Sequence, residues 1–285
     1  MKRMLLVASL LLAAALQTFA QYPHVTIRQM NEVPFDSLLL ADTLQNTFPS
    51  RWTLQAAPLR GDTVTVTALC FVPSKILTFT RGGFTMLLCD TAQDAQPWKC
   101  VLVRAPGDTN QHILDGFANV ERGDIIEITG VVDEFPGPSN PPTSMNSVTQ
   151  LAPVAGIPIN IIGTGALPPA IPMTIDQFYT GIFPGGSVHY STGEPYEGMY
   201  VQLTDLTVDA RVFVNRGTFS MVDINGNQIT DYDASRFFTL GHGATIPIPG
   251  DSIWALNYPL VGTQIDTIRG FITTISGSEN PRGYR

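Results

Sequence analysis

Oxygen-bearing side chains crowd residues 223–233: Asp223, Asn225, Asn227, Asp231 and Asp233. Such a set invites calcium. An EF-type loop, however, puts ligands at positions one, three and five and glycine at position six. Here Gly226 stands at position four, and Asn225-Gly226 reads better as a two-residue hairpin turn, since both residues accept positive φ. The carboxylates Asp108, Asp115, Asp124, Asp133 and Glu134 are divided among strands and loops, without the spacing of an acid–base pair. His24, His112, His189 and His242 are isolated from one another. No Gly-x-Ser-x-Gly elbow supports a nucleophilic serine, and no glycine loop is built for phosphate. The expectation is a chain without catalytic residues, cofactor or metal site.

The cysteines Cys70, Cys89 and Cys100 do not have zinc-ligand spacing. Strand phase pairs two of them. If the segments 84–90 and 99–104 form a hairpin with Met86 opposite Val103 and Leu88 opposite Val101, Cys89 lands opposite Cys100, close enough for a disulfide. The alternative is three buried thiols acting as small apolar side chains. Cys70 continues the Val64, Val66, Ala68 face and belongs to the core. Aromatics are the remaining lead. Trp98, Phe213, Tyr232 and Trp254 are candidate ligand contacts, since barrels that bind sugar or base strands use stacking; aromatics at alternate strand positions also serve as core.

The elements that must position these residues are strands. Charged residues are only 14% of the chain, hydrophobic ones 44%, and 25 glycines and 22 prolines punctuate a sequence rich in Thr, Val and Ile. That is an all-β composition with many turns. Strands are expected at about 62–70, 84–90 and 99–104, then one or two helical turns around Ile113, Leu114 and Phe117, then strands at 125–135 and 147–154. Gly130 inside the long strand predicts a bulge or sharp coil. Three strands, a short helix and two strands is the order of an OB-fold.

The stretch Arg81-Gly82-Gly83-Phe84-Thr85-Met86-Leu87 recurs in the second half of the chain as Arg216-Gly217-Thr218-Phe219-Ser220-Met221-Val222, and the alignment runs back without a gap to Val66 and Val201. A β-unit used twice is the natural reading. The fold expected is therefore two OB-like β-barrels in tandem, with a short helix in the first: residues 21–160, a Pro/Gly-rich connector over 161–193, and 194–285. Ile268-Arg269-Gly270-Phe271-Ile272 matches Ile128-Thr129-Gly130-Val131-Val132, with an insertion around Tyr258 to Gln264. A closing strand follows this point in the first copy; in the second, Arg285 comes first, and the chain reads as an N-terminal fragment of a longer protein.

Lys2 and Arg3, an apolar run from Met4 to about Leu16, and Thr18 and Ala20 before Gln21 have the pattern of a secretory signal peptide over 1–20. Export to the cell surface or medium is expected, with no membrane span after cleavage. Losing Lys2 and Arg3 takes the formal charge from −8 to −10. The basic residues are scattered, which disfavours general binding to phosphate backbones.

Glu194-Pro195-Tyr196-Glu197-Gly198-Met199-Tyr200-Val201, then Phe219 to Asp223, Gly270 and a terminal Gly283-Tyr284-Arg285, resemble the OB-like modules of large secreted bacterial proteins. Similar modules occur beside extracellular nuclease domains and in cargo of the type IX secretion route. The resemblance covers residues 194–285 best and implies an exported accessory module; it carries no activity over. The expected function is a non-catalytic exported binding or interaction module. The alternative is the accessory region of a secreted nuclease or other hydrolase whose catalytic domain lies beyond residue 285. Partner candidates are other domains of the same longer chain, polysaccharide and single-stranded nucleic acid.

Overall fold

The computed structural model describes residues 22–44, 54–74, 76, 84–91, 96–105, 109–135, 147–182, 186–212, 218–232, 234, 259–275 and 283–284. The leader, the Arg-Gly portions of both repeat motifs, and Asp108, Phe213, Asp233, His242 and Trp254 lie outside them.

Alternation of apolar residues with threonine makes β1 (Thr63–Val72) two-faced. Val64, Val66, Ala68 and Cys70 point inward and are buried. β2 (Phe84–Cys89) and β3 (Cys100–Ala105) form the next hairpin, with Met86 opposite Val103 and Leu88 opposite Val101. After β3 come a helix, α3 (Thr109–Leu114), and a 3-10 turn at Phe117–Asn119. Before the barrel lie α1 (Ile27–Asn31) and α2 (Phe35–Leu44). β4 (Asp124–Phe135) pairs with β1 on one edge and with β5 (Val148–Pro153) on the other. β5 runs parallel to β3, which closes a five-stranded barrel in the order β1-β2-β3-β5-β4-β1. Phe117, Ile126, Ile128, Val132 and Leu151 complete the core, joined by Ile27 and Met30 of α1.

Gly130 is required where it stands. A Cβ there would lie 2.7 Å from Leu151 Cγ and 2.9 Å from the Ala152 carbonyl oxygen, so the closing strand passes directly over a residue without a side chain.

The second copy forms a sheet, not, among the described residues, a second closed barrel. Its path is β12-β11-β10-β13, from β10 (Tyr200–Val212), β11 (Thr218–Val222), β12 (Gln228–Thr230) and β13 (Gln264–Phe271). Its register parallels that of the barrel at two places. Thr207 faces Val222 as Val72 faces Leu87, both partners displaced by the repeat offset, and Met221 faces Ile229 as Met86 faces Val103. β10 and β13 slip relative to β1 and β4: Gly130 faces Val64, whereas Gly270 faces Val201, the repeat counterpart of Val66. Beyond β13, β14 (Thr274–Ile275) pairs with β15 (Gly283–Tyr284).

The described residues of 161–193, expected as a connector, carry short strands and helical turns. β6 (Asn160–Thr164) adds to β4, β7 (Ile171–Pro172) runs parallel to β10, and β8 (Tyr179–Thr180) pairs with β9 (Ser187–Val188). A short helix, α4 (Tyr190–Gly193), is capped from afar: the Asp42 carboxylate of α2 accepts the Tyr190 and Ser191 N–H groups. Pro172 lies within β7 itself, at the position paired with Gln202 of β10.

Nor are the two units beads on a string. Phe71, Val72, Leu87, Cys89 and Cys100 on the outside of the barrel share one apolar core with Val201, Leu203, Met221 and Ile229. The Phe71 ring sits 4.8 Å from Tyr200 and 4.9 Å from Phe271, contacts worth about 0.5–1.5 kcal/mol each beyond their buried area.

Candidate binding cleft

Where barrel and second sheet meet they leave a cleft of about 440 Å³. Its walls are Val72, Leu87 and Leu102 from the barrel, and Val201, Leu203, Met221 and Ile268 from the sheet. Apolar walls of this size with a few converging polar groups are the usual form of a ligand site.

The polar groups of the cleft include Glu194 and Glu197 of the 194–200 stretch together with Asn31, Thr149, Thr230, Asp231 and Arg269. Glu194–Tyr196 is a 3-10 turn, with Pro195 at its start, where a missing N–H costs nothing. Gly198 follows at φ 74, and a Cβ on it would approach the Cys100 carbonyl to 3.2 Å. Only glycine lets the turn lie this close to β3. The turn is bonded to both units. Pro195 C=O accepts the Trp98 N–H at 2.8 Å, and the Gly198 N–H donates to Ile272 C=O at 2.7 Å.

Both glutamates of the turn are drawn inward. Glu197 accepts the Thr149 N–H at 3.1 Å from the barrel and the Thr274 hydroxyl at 3.1 Å from β14. Glu194 accepts the Tyr284 hydroxyl at 2.5 Å. Nearby, Glu134 accepts the Ala57 N–H at 2.8 Å and the Thr149 hydroxyl at 2.8 Å. Burial pushes the Glu197 carboxyl well above the ordinary carboxylate range, and the charges of Glu194 and Glu134 push it further. Burial raises Glu134 too, against the pull of its N–H and hydroxyl donors. Glu197 thus favours its protonated form more than an exposed carboxyl does, and it shares hydrogen bonding with Glu194. What the arrangement offers is a buried carboxyl lining the cleft, tied to backbone and hydroxyl donors from both units; such ties make a latch between them.

Two of the aromatic candidates meet here. Trp98 and Tyr232 both line the cleft. Trp98 is 9% exposed. It stands at φ 68, a left-handed conformation of the kind that clusters at functional or strained positions. Tyr232 is half-buried. Cys89 and Cys100, opposed in the β2–β3 ladder, are joined as a disulfide with Cα atoms 4.0 Å apart. Cys100 lines the cleft, so the disulfide closes the Trp98 loop at its root. Cys70 is free and buried, its thiol pushed up to about 12 by burial.

Asp231 lines the cleft as well; the remaining polar candidates among the described residues are occupied elsewhere. Asp223 Oδ1 accepts the N–H groups of Asn225 and Asn227, at 2.9 and 2.8 Å, and so caps the hairpin turn. Asp115 ties the α3 turn by accepting from Gln111 at 2.8 Å and Gly156 at 3.0 Å. Asp124 accepts the Glu121 N–H and Asp133 the Gln150 amide. His24 bonds Thr67, His112 stacks edge-on against Phe84 and Phe117, and His189 bridges the Asp176 carbonyl and Thr180. Among the described residues no group of three or more His, Cys, Asp or Glu side chains could hold a metal ion, and no helix is long and apolar enough to cross a membrane.

The cluster of Glu134, Glu194 and Glu197 was the part that sequence reasoning missed. Glu134 and Glu194 belong to different repeat copies, far apart along the chain; only the fold joins them. One signal was present: two acidic residues set among Tyr196, Met199 and Tyr200 in a chain only 14% charged. Neither protein-family models nor curated proteins match this chain.

Proposed function

We propose that the chain is a non-catalytic, exported interaction module, built from an OB-like barrel and a second OB-like unit, and that it binds through the cleft between them. One observation carries this reading: the cleft is walled by apolar side chains from both units and lined by Trp98 and Tyr232. Export is supported by the leader pattern of residues 1–20. The apolar walls and the acidic chain (formal charge −8) favour an uncharged or apolar surface over a phosphate backbone as partner. The second reading, accessory region of a larger secreted nuclease or hydrolase, is supported by the likeness of the 194–201 stretch to modules of such proteins.

The test is calorimetric titration of the whole mature chain, at low salt, with single-stranded DNA, oligosaccharides and extended peptides. The expected result is saturable binding of an uncharged or apolar class, weakened at least fivefold in Tyr232→Ala. Binding untouched by that variant, or turnover of the titrant, overturns the reading.

A further inference from the structure

Two uncharged oxygens of the cleft differ from its other polar groups. Asn31 ends α1 and is 6% exposed. Its Nδ2 donates to the Cys100 carbonyl at 2.9 Å. A carbonyl only accepts, so the amide nitrogen must face Cys100, and the amide oxygen is left for another partner. Thr230 of β12 is 7% exposed. Neither Asn31 Oδ1 nor Thr230 Oγ1 has a hydrogen-bond partner among the described residues, and both residues line the cleft. One belongs to the helix ahead of the barrel, the other to the second sheet.

A buried oxygen without a donor carries a desolvation cost, and a ligand that brings the donor relieves it. The charged groups of the cleft are engaged within the protein. Glu194 accepts the Tyr284 hydroxyl, and Glu197 accepts from Thr149 and Thr274. Arg269 gives its Nε to Gln202 at 2.8 Å. Glu194, Glu197 and Asp231 all line the cleft, and their charge opposes a carboxylate or phosphate head group. What the cleft presents to a ligand is therefore apolar wall and two uncharged acceptors.

We propose that the cleft takes an uncharged amphiphile, an apolar body whose hydroxyl groups donate to Asn31 Oδ1 and Thr230 Oγ1. This rests on the reading of the cleft as the binding surface and narrows its ligand from uncharged or apolar molecules at large to hydroxylated ones. The volume of about 440 Å³ suits a small molecule of that kind.

The probes are decanol, its methyl ether, α,ω-decanediol, decylammonium and decanoate, titrated by calorimetry into the whole mature chain at neutral pH. Decanol is expected to bind saturably. The ether keeps the oxygen but cannot donate, and is expected to bind at least tenfold more weakly. The diol is expected to bind more tightly than decanol, although it is the more water-soluble. Thr230→Val exchanges the hydroxyl for a methyl group of the same shape; it should keep its Tm and bring the diol to within twofold of decanol. Asn31→Leu is expected to remove the difference between alcohol and ether. If that variant does not fold, the wild-type alcohol–ether comparison and Thr230→Val decide. Equal affinity for decanol and its ether would mean that water serves both oxygens, and overturns the proposal. Decylammonium or decanoate binding more tightly than decanol overturns it too. If peptide or oligosaccharide binds with the expected Tyr232 dependence and no decyl probe does, the amphiphile fails while the cleft reading stands. Decanol binding that Tyr232→Ala and Asn31→Leu both leave untouched lies elsewhere, and overturns both.

Discussion

The Tyr284 hydroxyl donates to Glu194 Oε2 at 2.5 Å, joining residues 90 apart in sequence. The same ring covers Gly193, on which a Cβ would lie 2.5 Å from Tyr284 Cε2. The Tyr284 carbonyl accepts the Tyr179 hydroxyl at 2.9 Å. The Gly-Tyr pair at 283–284 and the 193–200 stretch, which stood apart as sequence landmarks, are thus one packed contact.

Removing that hydroxyl leaves a buried carboxyl short of a donor. Tyr284→Phe is expected to destabilise the chain by about 1–3 kcal/mol, and Gly193→Ala by about 1–3 kcal/mol through overpacking. Because both act on one contact, the double variant should lose less than the sum. Chemical denaturation of the four proteins measures this; strict additivity would separate the two residues.

Glu197 gives a pH signature. Its folded pKa is raised by burial and by the neighbouring carboxylates, so between the ordinary carboxylate value and the raised one the folded state holds a proton that the unfolded state has lost. Stability from this group is fullest below the ordinary value and falls as pH rises toward the folded one. Glu197→Gln imitates the protonated carboxyl and removes the dependence. The Tm of the variant relative to wild type should rise as pH increases above the ordinary carboxylate value; a difference independent of pH would show that the carboxyl is not raised.

The repeat glycines should respond oppositely. Gly130→Ala drives a methyl into Leu151 and should cost about 1–3 kcal/mol. Gly270→Ala meets open space and should be neutral or stabilising by up to about 1 kcal/mol, through the unfolded chain. Equal losses at both sites would mean that the second sheet is as closely covered as the first barrel.

The disulfide closes a loop of sequence separation 11 and should contribute about 3 kcal/mol. Cys89→Ala/Cys100→Ala is expected to lower Tm and to red-shift the emission assigned to Trp98 by difference from Trp98→Phe. Cys70 should resist alkylation in the native chain, its thiol being buried and pushed up to about 12. An unshifted Trp98 would detach the cleft lining from the disulfide.

Local pattern made the barrel legible. Alternation placed Val64, Val66, Ala68 and Cys70 inward. Facing phases put Met86 opposite Val103 and Cys89 opposite Cys100, since a one-residue slip would reverse every face. Asn225-Gly226 showed its turn chemistry. What failed to show was assembly. Prolines in 161–193 suggested a loose connector because composition reports turn density, not whether turns pack. The carboxyls of Glu134, Glu194 and Glu197 come together only through burial between the two units, and no local spacing rule reaches from one repeat copy to the other. The repeat alignment suggested two barrels, but among the described residues only the first set of strands closes.

Differential scanning calorimetry of the whole mature chain tests the account most directly, because the cleft exists only if barrel and second sheet fold around a shared core. One transition is expected, with calorimetric and van't Hoff enthalpies equal, shifted as a whole by Glu197→Ala. Two transitions, with the variant moving only one, would contradict it.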